Sequence, residues 1–150
     1  MLNMWNKITN QDDWEKLLSL FGGFHDSCIK EFKYISGAYV DENLSMYPIN
    51  SERIIKIIFQ RQFNNPSVIE MEFIGLLQLS MLPLADNFTC EILDVTMIFD
   101  DGSIYWLDCG GLTKNDINDY TGTLICSSAV RWRVADEYIG QEEVYVRKKS

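Results

Sequence analysis

Histidine and proline are scarce in this chain, which has one histidine and three prolines among 150 residues. A single histidine excludes the metal-dependent phosphohydrolases whose histidine–aspartate pair needs further histidines around the metal. The few prolines, together with the lack of any Gly/Ser-rich tract, leave no candidate linker. The length is that of one ordinary domain, so we predict a single domain over residues 1–150.

Long apolar runs are also lacking. The richest run, residues 73–84, is shorter than the roughly 20 apolar residues that cross a bilayer. The first residues contain no apolar segment typical of a signal peptide. The sequence therefore predicts no membrane association and a cytoplasmic location.

No two of the four cysteines lie close together in the sequence, and the spacing matches neither a zinc site nor a thioredoxin-type motif. In a cytoplasmic protein such thiols are typically reduced and buried. The glycine-rich loops that cradle nucleotide phosphates are absent as well. We therefore expect no cofactor.

Basic residues are outnumbered, with 13 Lys and Arg against 22 Asp and Glu and a net charge of −9. Such a surface repels phosphate backbones, so we expect no nucleic-acid partner. It would speed the encounter with a basic protein partner. Moderate acidity also keeps ordinary cytosolic proteins in solution, so the charge alone does not select a function.

The clearest element in the sequence is one amphipathic helix. Trp14, Leu17, Leu18 and Phe21 follow the spacing of a single helical face. Thr9 or Asn10 can cap its N-terminus, and the glycine pair at 22–23 is a typical stop signal. The sequence predicts a helix that ends at these glycines.

After the helix the period of the apolar residues changes to two, the period of β-strands. Strands are predicted at 28–35, 37–49, 53–63, 68–82, 91–100, 103–109 and 124–135, a short helical turn at 114–120, and a turn and an edge strand at 136–149. The alternation places Phe63 inward, Arg133 outward, and Glu70 and Glu72 on the side opposite Met71 and Phe73. Gly75 indicates a bend, and Asp101-Gly102 is a typical hairpin turn. The short connections favour antiparallel neighbours. We therefore predict an α+β fold: an N-terminal helix followed by a mostly antiparallel, curved β-sheet of about six or seven strands.

The one histidine is followed directly by an aspartate, His25-Asp26. A nucleophilic arrangement with Ser27 or Cys28 is formally possible. However, neighbouring residues of an extended chain point to opposite faces, so His25 and Asp26 would not orient one another. We favour a structural interpretation, in which Phe24 packs under the helix and His25 or Asp26 hydrogen-bonds the backbone at the turn.

Several aspartates fall in predicted turns and could converge at one end of the sheet: Asp100, Asp101, Asp108, Asp116 and Asp119. Calcium prefers such oxygen ligands. The loop at 110–122 fails the EF-hand spacing, because Gly122 comes one position late and Ser127 stands where the bidentate glutamate should be. Aspartate is also an ordinary turn residue, so we predict no metal site.

The pattern W-x-x-L-x-x-L-F-G-G-F-H-D-S-x-I, with Phe24, His25, Asp26, Ser27 and Ile29 at its end, resembles small bacterial domains suspected to be immunity proteins of polymorphic toxin systems. In these domains a histidine–aspartate pair opens the first strand after a short helix. The resemblance covers about the first two thirds of the chain. It implies a single α+β domain with no catalytic residues to transfer.

Together these features predict a non-catalytic acidic protein-binding module, with a toxin-neutralising immunity protein as the specific candidate. The predicted partner-binding residues are the turn acids and the histidine corner: His25, Asp26, Asp100, Asp101, Asp108, Asp116 and Asp119. Two alternatives remain open. One is a small-ligand-binding protein or hydrolase with a pocket near His25, and the other is a structural homodimer formed through an exposed sheet edge.

Overall fold

The computed structural model describes residues 4–147. One α-helix and nine strands follow one another along the chain. They are β1 (Asn6–Ile8), α1 (Gln11–Leu20), β2 (Ser27–Ile35), β3 (Tyr39–Val40), β4 (Met46–Tyr47), β5 (Ile54–Arg61), β6 (Val68–Ser80), β7 (Thr96–Asp100), β8 (Ser103–Leu107) and β9 (Leu124–Val134). Short 3₁₀ turns lie at Gly22–Phe24, Lys114–Asp116 and Asp136–Tyr138.

The strands form a seven-stranded sheet in the order β2-β5-β6-β9-β8-β7, in which every neighbouring pair is antiparallel. β1 also pairs with β9, at Val130–Trp132, beyond the part of β9 that pairs with β8. The predicted α+β class and antiparallel sheet are confirmed. The sequence analysis missed β1, which places a strand before the helix.

The helix begins where the sequence predicted. The side chain of Asn10 accepts a hydrogen bond from the backbone N–H of Asp13 at 2.9 Å, and the Asp13 carboxylate accepts one in return from the backbone N–H of Thr9. These bonds satisfy amide groups that have no partner inside the helix. The helix ends at Leu20, ahead of Gly22 and Gly23, which both have left-handed backbone.

The apolar face of α1 packs on one face of the sheet. Phe24 follows the helix and is fully buried, with ring centroids 5.2 Å from those of both Phe21 and Phe59 and 5.7 Å from that of Trp14. The expectation that Phe24 packs under the helix is confirmed. We call this side of the sheet the helix face and the opposite side the far face.

Two segments cover parts of the far face. The loop at 109–122 packs Leu112, Ile117 and Tyr120 over the β8–β9 end. Residues 136–147 pack Tyr138, Val144 and Tyr145 over the β5–β6 end. The edge strand predicted at 136–149 is wrong within the described residues, which hold a 3₁₀ turn and irregular chain there, and residues 148–149 lie outside them.

Other predictions also need correction. Residues 37–49 do not form a strand of the main sheet but contain a separate two-stranded hairpin of β3 and β4. Phe63, expected to face inward, lies beyond the end of β5 and is exposed. Arg133 points away from the core, as predicted, but it is buried on the far face against Glu70.

Among residues 4–147, no helix has both the length and the apolar character needed to cross a bilayer.

Candidate functional site

His25 and Asp26 lie at the surface, where the chain passes from the 3₁₀ turn into β2. The imidazole Nδ1 is 3.1 Å from the carbonyl oxygen of Leu93, and Asp26 donates its backbone N–H to Ile92. The backbone bond at this turn agrees with the structural interpretation. The histidine side chain nevertheless remains 61% exposed, so it is not a buried part of the fold.

The expectation that His25 and Asp26 point apart is wrong. Their side chains approach to 3.5 Å between Nε2 and Oδ2. The rule of alternating faces holds only for extended chain, and Asp26 has a φ of 57°, in the left-handed region. The two side chains are therefore neighbours on an exposed corner.

A cleft of about 640 Å³ lies beside this corner. Asp26, Cys28, Arg61 and Cys90 contribute to its lining, whereas His25 is not among the lining residues. Burial, followed by the nearby Cys90, raises the pKa of the Cys28 thiol. A raised pKa keeps this thiol protonated and weakly nucleophilic at neutral pH. The Cys28 thiol is therefore not an activated nucleophile of the kind that the hydrolase alternative would use.

The structure does not bring the five predicted aspartates together as one site. Asp100 forms an ion pair with Lys114 at 3.0 Å, and Asp116 caps its own 3₁₀ turn by accepting the backbone N–H of Thr113. Asp101 occupies the β7–β8 hairpin turn, with φ of 48°, and Asp119 is exposed in the covering loop.

Asp108 serves to hold the loop that covers β8 and β9. Its carboxylate accepts hydrogen bonds from the Tyr120 hydroxyl and from the backbone N–H of Thr123. Burial, followed by this bond to Asp108, raises the pKa of Tyr120. Among residues 4–147, no three His, Cys, Asp or Glu side chains are grouped in a way that could hold a metal ion.

The most exposed apolar surface lies instead on the connection between β2 and β5, residues 36–53, which we call the arm. Here β3 and β4 form a hairpin whose Tyr39 and Tyr47 rings are paired across the strands and stacked with centroids 4.7 Å apart. Six large apolar side chains of the arm are exposed: Tyr39, Val40, Leu44, Met46, Tyr47 and Ile49. None of them belongs to a hydrophobic core cluster.

The tip of the arm has a defined conformation. The Asp41 carboxylate accepts the backbone N–H groups of Asn43 and Ser45, and Leu44 donates its own N–H to the Asp41 carbonyl. This turn holds Leu44 85% exposed with a φ of 64°. Both features are unfavourable for leucine. Exposure to water costs the apolar side chain free energy, and left-handed backbone is adopted more readily by asparagine or glycine.

A second exposed apolar segment starts from the same end of the sheet. Ile35, Ile54 and Ile74 are consecutive partners across β2, β5 and β6, so the arm leaves the sheet where β6 continues past β5. The large apolar residues exposed on this continuation and the loop after it are Leu77, Leu79, Met81, Leu82, Leu84 and Phe88. Patches of this kind typically mark interaction sites.

Sequence reasoning missed this surface because the alternation in residues 37–49 is the same for a sheet strand and for a projecting hairpin. The available signal was the Asp-Glu-Asn run at 41–43, which is turn-forming chemistry in the middle of the predicted strand.

The far face of the sheet carries an ionic network. Glu70 pairs with Arg133 at 2.8 Å, while Glu72 pairs with Arg131 at 2.6 Å and with Lys56 at 3.3 Å. Both carboxylates are buried. Buried charges cost little only when they are paired, and these carboxylates are paired by neighbours on adjoining strands. The network therefore allows the sheet to keep charged side chains buried on this face.

The C-terminal segment closes over one side of this network. The Glu31 carboxylate accepts backbone N–H groups of Val144 and Tyr145, and the Tyr145 hydroxyl donates to Glu70. Burial acts to raise the pKa of Glu31, but these backbone bonds and Lys30 outweigh it and lower the pKa. Burial, followed by the bond to Glu70, raises the pKa of Tyr145.

Comparison of the chain with protein-family models, curated proteins and solved structures gave no match.

Proposed function

We propose that the protein is a non-catalytic binding module that captures a protein partner through the arm. The observation that carries this proposal is Leu44, an apolar residue held 85% exposed in left-handed backbone at a hydrogen-bonded tip. Folding alone gains nothing from leucine at such a position. A partner that buries Leu44 would recover its hydrophobic free energy without first having to order the tip.

The neighbouring residues suit a protein interface. Tyrosine is enriched among the residues that dominate binding energy, and the stacked pair Tyr39 and Tyr47 offers two such rings side by side. Asp41, Glu42 and Glu52 are the charged residues of the arm before Arg53. The acidic rim, together with a net charge of −9, favours a basic partner.

We propose in particular that the partner is a basic toxin and that the protein neutralises it in the cytoplasm as an immunity protein. Support for this finer proposal comes from the resemblance carried by residues 24–29 and from the acidity of the chain. The exposed corner at His25 and Asp26 and the turn aspartates would then contribute a peripheral charged surface, and the apolar arm would supply most of the affinity.

The test is co-expression with the product of the neighbouring gene, followed by co-purification of wild type and Leu44→Asn. Asparagine tolerates the left-handed tip, so we expect stability to be kept or raised while the yield of complex falls at least about tenfold. Leu20→Asn, on the helix, is the matched control and should leave the complex intact. The proposal is overturned if no product co-purifies, or if Leu44→Asn binds as well as wild type.

A further inference from the structure

One row of cross-strand neighbours runs over five strands of the far face. Lys33 on β2 pairs with Lys56 on β5, and Lys56 pairs with Glu72 on β6. Glu72 pairs in turn with Arg131 on β9, and Arg131 with Lys7 on β1. Directly paired residues of antiparallel strands point to the same face. The row, which we call the cationic row, therefore places four cations around a single carboxylate.

The two ends of the cationic row are unusual for a chain with so few basic residues. Lys33 lies directly opposite Lys56, and Lys7 directly opposite Arg131, and like charges directly opposite one another destabilise a sheet. Glu72 forms ion pairs with both inner cations, Lys56 and Arg131. Lys33 and Lys7 are exposed and form no ion pair among residues 4–147.

An apolar row runs beside the cationic row. Ile35, Ile54 and Ile74 are consecutive cross-strand partners on the same face and are half-buried. The covering segments pack elsewhere on the far face, over the row that contains Glu70 and over the β8–β9 end. Trp5 lies over the Arg131 guanidinium, with its ring centroid 4.2 Å from Cζ. The two rows together form a strip that is exposed at Lys33 and Lys7, positive along one side and apolar along the other.

We propose that this strip binds an extended acidic segment of a partner protein in which carboxylates alternate with apolar side chains. Neighbouring strands lie about 4.8 Å apart, so the cationic row is about 19 Å long, the length of about six extended residues. Carboxylates would meet Lys33 and Lys7, and apolar side chains would meet the isoleucines. A nucleic acid carries a charge on every nucleotide and has no aliphatic side chains alternating with those charges, so it matches the two rows less well.

This site is independent of the arm, so its partner segment need not belong to the protein that the arm captures. The interaction is electrostatic at exposed positions, and we therefore expect it to weaken steeply with salt.

The test is fluorescence anisotropy with a labelled peptide of about eight residues that alternates glutamate and valine, a length that spans the row. Matched probes replace glutamate by glutamine or by lysine, and a single-stranded oligonucleotide represents phosphate. We expect the glutamate peptide to bind at least about tenfold more tightly than each other probe. Equal binding of the glutamine peptide, preference for the oligonucleotide, or no binding of the glutamate peptide would overturn the proposal.

Variants locate the site. Lys7→Glu and Lys33→Glu, made singly, should each weaken peptide binding at least about tenfold, whereas Lys16→Glu, the same charge change on the exposed side of α1, should not. Lys33→Gln gives a second measurement: relief of the like-charge pair should raise the urea midpoint while peptide binding falls. If Lys16→Glu weakens binding equally, the effect is one of net charge and the strip is not the site.

Discussion

At the scale of single residues, the backbone conformation of a few positions determines what the side chains can do. Asp26 has left-handed backbone, and this brings its carboxylate to the imidazole of His25 although the two residues are adjacent in sequence. Leu44 has left-handed backbone at the tip of the arm, where it is held in solvent. In both cases a local φ angle, which residue type only weakly predicts, decides which surface the residue joins.

Gly75 provides a test of this backbone dependence. Its φ is 70°, and a β-carbon there would overlap Ser128 Oγ on β9. Left-handed backbone costs a residue with a β-carbon about 1–2 kcal/mol. We therefore expect Gly75→Ala to lower the free energy of unfolding by more than this amount, as measured by urea denaturation.

Gly23 is the matched control for that measurement. It has a φ of 67°, but no atom would lie within 4 Å of an added β-carbon. Gly23→Ala should therefore show the backbone cost alone, and the difference between the two variants measures the overlap with Ser128. Equal losses of unfolding free energy in the two variants would show that the sheet adjusts to the added methyl group without cost.

At the scale of elements, the strands were predicted better than the segments that cover them. Glu70 and Glu72 alternate with apolar residues in β6, as a strand requires, and the sequence correctly placed them opposite Met71 and Phe73. Their burial depends on a strand distant in sequence, because Arg131 and Arg133 of β9 pair with the two carboxylates. The docking of residues 136–147 depends on similar long-range bonds.

Glu31 controls that docking. Because folding lowers the pKa of Glu31, the ionised carboxylate stabilises the folded state, and this contribution is fully present above the ordinary pKa of 4.5. The contribution is lost as the pH falls from 4.5 through the folded pKa. A hydrogen bond to a charged group contributes about 1.5–3 kcal/mol. We expect Glu31→Gln to lower the amide protection factors of Val144 and Tyr145 at least about tenfold at neutral pH, and acidification of wild type through the folded pKa to lower the same factors once they are corrected for the slower intrinsic exchange in acid.

Glu143→Gln is the control, since this exposed acid lies in the same segment without bonding Val144 or Tyr145. It should leave exchange of the two amides unchanged. Unaltered exchange in Glu31→Gln would mean that apolar packing of the segment suffices to hold it.

At the scale of the whole molecule, one sheet edge bears on the homodimer alternative. β6 loses its β5 neighbour after Leu76, whose N–H donates to Arg53, yet it stays paired with β9 as far as Ser80. Leu77 and Leu79 are exposed here, and residues 73–85 contain no charge. An unpaired, uncharged strand edge is complementary to a second copy of itself in antiparallel orientation.

We therefore expect the mass from light scattering to rise with protein concentration, and Leu79→Lys to prevent the rise, because a buried charge would oppose pairing of two edges. Leu93→Lys, also on an exposed leucine but away from β6, should self-associate like wild type. A monomer mass at every concentration would remove this alternative and leave β6 as an open edge.

The prediction of partner-binding residues illustrates how far composition and turn chemistry reach. Asp101 was correctly placed in a hairpin turn and Asp116 near a helical turn, because aspartate stabilises such turns through bonds to its own backbone. Whether the aspartates converge depends on the three-dimensional path of the loops. That path pairs Asp100 with Lys114 and commits Asp108 to Tyr120, so the acids hold loops instead of forming one site.

The sequence by itself determined the helix at Gln11–Leu20, the long strands, the hairpin turn at Asp101-Gly102 and the antiparallel character of the sheet. Capping groups, glycines and the periods of apolar residues act over a few neighbouring positions and can be read along the chain. Only the tertiary structure decided that residues 36–53 project as an arm, that Arg133 is buried and that Lys7, Lys33, Lys56 and Arg131 share one row. Those outcomes depend on strand register and on contacts between residues far apart in sequence, which no local pattern specifies.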